Sequence, residues 1–147
     1  MEIRELIFRG FHPCDGPETI VVDGENVKGR WVYGNLFVNK RTGQHMIIAP
    51  NKEIDLFDYM TVTPSTVGQY TGLTDKNGKR IFEGDIISWT DWRNDQRKAP
   101  ICYDDEWKRF CVWLNGAESM GVNKHLSTGG IEVIGTVFDE EARNDSQ

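Results

Sequence analysis

The chain has 147 residues, with 17 Lys and Arg against 23 Asp and Glu, for a formal net charge of -6. Hydrophobic residues make up 38% and charged residues 27%, which is enough to bury a core and too apolar for a disordered tail. The acidic balance argues against the broad basic surface behind non-specific nucleic-acid binding. No apolar run approaches the ~20 residues that span a bilayer.

This length suits one domain or two very small modules. The opening MEIRELIFRG mixes acids with apolar residues and lacks the order of a secretory signal. A soluble protein in the cytoplasm is expected. Three cysteines, an odd number, make no disulfide framework and should remain thiols there.

Gly and Pro cut the chain into short pieces rich in β-branched and aromatic residues, the pattern of strands and turns. Glu2 to Arg9 reads as a strand, and His12 to Pro17 as a loop. Thr19 to Val22 is a short strand ending at the turn dipeptide Asp23-Gly24. Trp31 to Val38 is a strand in which Gly34-Asn35 marks a bulge or a very short hairpin. The bulge is favoured because the arms hold only three residues. His45 to Ile48 follows. In Ile54 to Val62, Phe57, Tyr59 and Thr61 alternate with Asp58, Met60 and Val62, a strand stopped by Pro64.

Pro64-Ser65-Thr66 is the best internal boundary. Beyond it, Val67 to Leu73 is strand-like and Asp75 to Gly78 a strong turn, with Asn77-Gly78 tolerating positive φ. Ile81 to Trp89 reads as one strand containing Gly84, and Asp91 to Ala99 as a long polar loop. Ile101 to Tyr103 and Phe110 to Leu114 form a hairpin. Pairing Tyr103 with Phe110 sets Cys102 opposite Cys111. Gly116 to Gly130 is irregular, and Ile131 to Phe138 is the last strand. The expected fold is mostly β: an N-terminal β-meander region over residues 1–66, then a small SH3-like, barrel-type β region over 67–139. Residues 140–147 are a flexible tail. One continuous domain is the alternative.

The segment VGQYTGLTDKNGKRIFEGDII, Val67 to Ile87, resembles the signature of the YopX family of phage and prophage proteins. IRELIFRG, GRWVYGNL at Gly29 to Leu36 and IEVIGTVFD at Ile131 to Asp139 resemble family landmarks in the same order. The resemblance implies a small, β-rich, phage-encoded protein that forms homo-oligomers, and it implies no activity. In the signature, Gly68 and Gly72 bracket Tyr70, Asp75 with Asn77 and Gly78 closes a turn, and Glu83-Gly84-Asp85 separates two apolar pairs. The last of these resembles the turn into a strand of small SH3-like barrels, where a carboxylate accepts backbone amides and Gly supplies the bend.

Chemistry is sparse. His12, Cys14, His45 and His125 do not make the C-x2-C or H-x3-H spacing of a zinc site, so no metal or other cofactor is expected. Cys102 and Cys111 are a redox pair or, as preferred, two small apolar residues on a buried face. Glu83 and Asp85 share a strand face as an acid pair or, preferably, a structural cap. Asp104, Asp105 and Glu106 are a solvated run. No catalytic motif is present, and an enzyme is not expected.

Trp89, Trp92, Arg93, Arg97 and Lys98 interleave aromatics with bases, a pattern that stacks on and steers a single nucleic-acid strand. The bland alternative puts Trp89 in the core beside a solvated loop. Trp31, Tyr33, Trp107 and Trp113 suit a core or a subunit interface. Two readings follow. One is a non-enzymatic phage accessory protein that self-associates and contacts a host or phage protein, with Trp31, Tyr33 and Trp107 as anchors. The other is a nucleic-acid-binding accessory protein using the Trp89–Lys98 region.

Overall fold

The computed structural model describes residues 6–51, 53–54, 56–114, 118–123 and 130–139. It is mostly β, built from antiparallel sheets with no α-helix among the described residues. None of those residues forms a helix long and apolar enough to cross a membrane. The chain divides into two compact units, one of residues up to Gln69 together with Phe138 and Asp139, the other of Tyr70–Val137.

The first unit is a sheet of β1 (Phe8–Val22), β2 (Glu25–Val38), β3 (His45–Asn51) and β4 (Leu56–Val62), in the order β4-β3-β2-β1. Gly68 and Gln69, the start of β5 (Gly68–Thr74), pair with the other edge of β1. Asp23 and Gly24 turn β1 into β2 with φ of 51° and 83°, the mirror-image turn that suits two-residue hairpins. The expected loop at His12 to Pro17 is instead part of β1. Pro13 and Glu18 both pair with Gly29, so Cys14 to Pro17 bulge out of one long strand. Prolines at both ends of that segment offer no ladder donors, and beside the bulge the Glu18 carboxylate accepts the Trp31 N–H of β2 at 2.9 Å.

Gly34-Asn35 is neither bulge nor hairpin. Up to Gly34, β2 pairs with β1, and from Asn35 it pairs with β3. The inward face carries Val32, Ile47 and Val62, with Phe8, Leu36, Met60 and Val67 packed on them. The sheet curls without closing: Thr63 N–H donates to the Phe11 carbonyl at 3.0 Å. The His12 ring nitrogen bonds the Thr61 carbonyl at 2.6 Å. Pro64–Thr66 is a single 3-10 turn, and buried Thr66 accepts the Phe11 N–H.

In the second unit β5 continues against β6 (Arg80–Phe82). The β7 strand (Asp85–Thr90) sits between β12 (Glu132–Thr136) and β8 (Gln96–Pro100), and β10 (Arg109–Leu114) between β9 (Cys102–Asp104) and β11 (Glu118–Gly121). Among the described residues these strands close no barrel, which corrects the barrel-type expectation. Three boundaries also differ. Glu83 and Gly84 form a turn between β6 and β7, with Gly84 at φ 93°. The second part of the expected polar loop, Gln96 to Ala99, belongs to strand β8. Residues 118–121 form a strand where irregular chain was expected. Isoleucines 81, 87, 101 and 131 with Trp89, Ala99 and Val112 make the core. The expected tail at 140–147 lies outside the described residues, as does His125.

The β9–β10 register is as expected: Tyr103 opposes Phe110 and Cys102 opposes Cys111. Val122 N–H donates to the Phe110 carbonyl, so Phe110 points its backbone groups toward β11 and Cys111 points its own toward β9. Cys102–Cys111 is then a hydrogen-bonded pair with Cα atoms ~5.5 Å apart, the wider antiparallel spacing. Burial raises both thiols above their ordinary pKa. All three cysteines are free. In the native protein a thiol reagent should modify exposed Cys14 quickly, Cys102 slowly and buried Cys111 only on unfolding; two fast thiols would contradict this placement.

Gly78 takes φ 81° with open space around its missing Cβ. Gly78→Val should therefore act through backbone strain alone, costing about 1–2 kcal/mol and lowering Tm by roughly 5 °C. An unchanged Tm would mean that the turn is not constrained there.

Candidate functional site

The signature residues build structure. Tyr70 stacks on Phe82 at 5.6 Å between ring centroids, with the Arg80 guanidinium 5.4 Å from its ring. Asp75 is buried and accepts three backbone N–H groups: Asn77 at 2.8 Å and Lys79 at 2.9 Å on Oδ1, and Val133 at 3.1 Å on Oδ2. Burial pushes its pKa up, but these bonds and the nearby Lys79 charge outweigh it and hold the carboxyl below its ordinary value. Asp85, also buried, accepts the Phe82 N–H at 2.8 Å. Because the Glu83-Gly84 turn intervenes, Glu83 does not share a strand face with Asp85; the Asp85 bond to Phe82 is that of the preferred structural cap. Gly72, at φ 89°, lies where the β5–β6 register shifts between Tyr70 and Thr74, while Gly68 pairs with Arg9 of β1.

The basic-aromatic cluster is split by the fold. Trp89 is in the core, opposite Arg97, and has no stacking face to offer. Trp92 and Arg93 sit at the tip of the β7–β8 hairpin. There Asp91 Oδ1 accepts the N–H of Arg93 and of Asp95, both at 2.9 Å, and Arg97 Nε bonds Asp91 Oδ2 at 2.9 Å. That Arg97 bond holds the Asp91 carboxyl below its ordinary pKa. Trp92 is 82% exposed, with the Arg93 guanidinium 4.5 Å from its ring. Lys98 is exposed on β8.

A second tip has the same construction. Between β9 and β10, Asp104 Oδ1 accepts the N–H of Glu106 at 3.0 Å and of Trp107 at 3.2 Å. The Ser119 hydroxyl donates to Oδ2 at 2.6 Å and is the main cause of that carboxyl's lowered pKa. Trp107 stands 67% exposed, with the Arg109 guanidinium 5.7 Å from its ring. Each tip is thus a carboxylate-braced turn holding a Trp outward beside an Arg.

Trp31 is not a free anchor. It packs on Phe11 at 5.3 Å and Phe138 at 5.8 Å, and Arg9 lies 4.8 Å from its ring. Tyr33 belongs to a surface that reading strands one at a time does not reveal. The registers place Phe37, Met46 and Thr61 in one row, Asn35, Ile48 and Tyr59 in the next, and Pro50 beside Phe57. All point away from the core side of β2, β3 and β4. Tyr33 and Phe37 are each 48% exposed, Phe57 60% and Tyr59 65%. No side chain in the three rows of β2, β3 and β4 is charged; Tyr33, one row further, stands opposite buried Arg9 of β1. The clue in the sequence is that Leu36 to Val38 and Met46 to Ile48 are apolar on both faces, and that Phe57 and Tyr59 share a face opposite to Met60 and Val62, which a half-solvated strand does not need.

The family model described as YopX protein matches residues 22–143. The chain belongs to the YopX family. Within that match fall the Asp75 and Asp85 supports, both Trp-bearing tips and the apolar rows of the first unit, so these are features of the YopX-matching region. Neither a curated protein nor a solved structure matches the chain.

Proposed function

We propose that this YopX-family chain is a non-enzymatic, phage- or prophage-encoded accessory protein. It works in the cytoplasm of the bacterial host by associating with itself and with a host or phage protein. The observation that carries the reading is the set of aromatic side chains held outward on rigid backbone: Tyr33, Phe37, Phe57 and Tyr59 on strands, and Trp92 and Trp107 on braced turns. Preordered aromatic side chains dominate binding energy because they bring large area at little entropic cost. The buried acids support it too. Asp75, Asp85 and Asp104 are engaged by backbone N–H groups, which suits turn-bracing rather than proton transfer. Light scattering of the full chain at micromolar concentration should give a mass above 16.8 kDa. A monomer mass unchanged over a tenfold concentration range would remove self-association from the reading.

One observation favours a second reading. The Trp92–Arg93 tip next to Arg97 and Lys98 offers an exposed ring with cations for a single nucleic-acid strand. Binding to a single-stranded oligonucleotide would then weaken steeply with salt and be lost in Trp92→Ala. Absence of binding at low salt would remove it.

A further inference from the structure

Resting on the self-association proposed above, we infer that the outward face of β2, β3 and β4 is where two copies of this chain pack, sheet on sheet, about a two-fold axis. The four rings Tyr33, Phe37, Phe57 and Tyr59, at roughly 200 Å² each and at the exposures given above, present on the order of 450 Å² of surface. Met46 and Ile48, half-buried in the same rows, extend it. That is already in the range of the largest patch on a typical monomer, ~300–600 Å². With its rim it approaches the ~800 Å² per partner of a stable complex.

Charge selects the occupant. The chain carries a net charge of -6, so two copies meeting through average surface bring like charges together. The rows Phe37–Met46–Thr61 and Asn35–Ile48–Tyr59 contain no acid or base, and here two copies approach without that penalty. A two-fold contact requires a patch complementary to itself. A neutral apolar face meets that condition, because it asks for no opposite charge on the other side. Twisted sheets stack face to face at ~10 Å with interdigitating side chains, which places the four rings at the centre of the contact. All of these residues belong to the first unit.

The test is sedimentation equilibrium of the full chain and of two variants, Tyr59→Asp with Phe37→Asp on the face, and Ile134→Asp, an exposed position on β12 of the second unit. Circular dichroism and Tm confirm that each is folded. Removing a central anchor typically weakens an interface by ~30-fold or more, so the face variant should sediment as a monomer where the native chain and Ile134→Asp are multimers. Should the face variant not fold, hydrogen exchange on the native chain decides. Protection that rises with protein concentration in residues 35–38, 45–51 and 56–62 supports the inference. Concentration-dependent protection confined to other strands overturns it. A native multimer that the folded face variant leaves intact overturns this inference and leaves self-association standing. A native monomer overturns both, and a native monomer that binds a different protein through this face does the same.

Discussion

Asp75→Ala should be among the most damaging single substitutions in the second unit, lowering stability by about 3 kcal/mol and Tm by roughly 10 °C. One carboxylate closes the turn through Asn77 and Lys79 and reaches 58 residues along the chain to the Val133 N–H. A second tie between the same segments, Lys76 N–H to the Ile131 carbonyl at 2.9 Å, depends on the turn that Asp75 holds. Removal leaves three backbone donors to find partners in a site with little water. Because the folded carboxyl lies below the ordinary value of an aspartate, its contribution is complete above that ordinary value and is lost as pH falls through the folded value. The stability gap between wild type and Asp75→Ala should therefore be widest near neutral pH and shrink below about pH 4. A gap that stays constant down to pH 2, measured by denaturant titration, would show that ionisation of Asp75 does not matter.

Gly34→Val should cost about 3 kcal/mol or more, by a different route. An added Cβ at Gly34 meets the Ile48 carbonyl oxygen, with its carbon at 3.0 Å and the Ile47 Cγ2 at 3.2 Å. These are backbone and core atoms that cannot swing aside, so β2 and β3 must separate where β2 changes partner. Since Phe37 and Ile48 lie just beyond that point, the variant should also weaken self-association. Gly43→Asn, at φ 76° with nothing within 4 Å, should be nearly neutral, since Asn tolerates that conformation. If Gly34→Val and Gly43→Asn melt together, the close approach at Gly34 is not what constrains β2.

Turns and local register were legible where the deciding residues are neighbours. Asp23-Gly24 and Gly78 announce positive φ, and Tyr103 with Phe110 fixes the Cys102–Cys111 pairing across a short connection. β8 was not legible. Of Gln96–Pro100 only Ala99 is buried, so the segment has no alternation, and its strand conformation comes from pairing with β7. The 14–17 bulge was missed for a related reason, since Pro13 and Pro17 look like loop punctuation and only Gly29 opposite shows that the strand continues. Trp89 and Trp92 have similar local surroundings in sequence but opposite fates, because burial is decided by the strands packed over Trp89. The candidate face was hidden in the same way. Each strand's two faces can be read from its own residues, but the row Asn35–Ile48–Tyr59 exists only once three strands lie side by side.

Self-association is the central claim, and the molecular mass of the unmodified chain in solution tests it most directly. Sedimentation equilibrium from about 1 to 100 μM should give a weight-average mass that rises with concentration to a multiple of 16.8 kDa. A mass of 16.8 kDa across the whole range would contradict it.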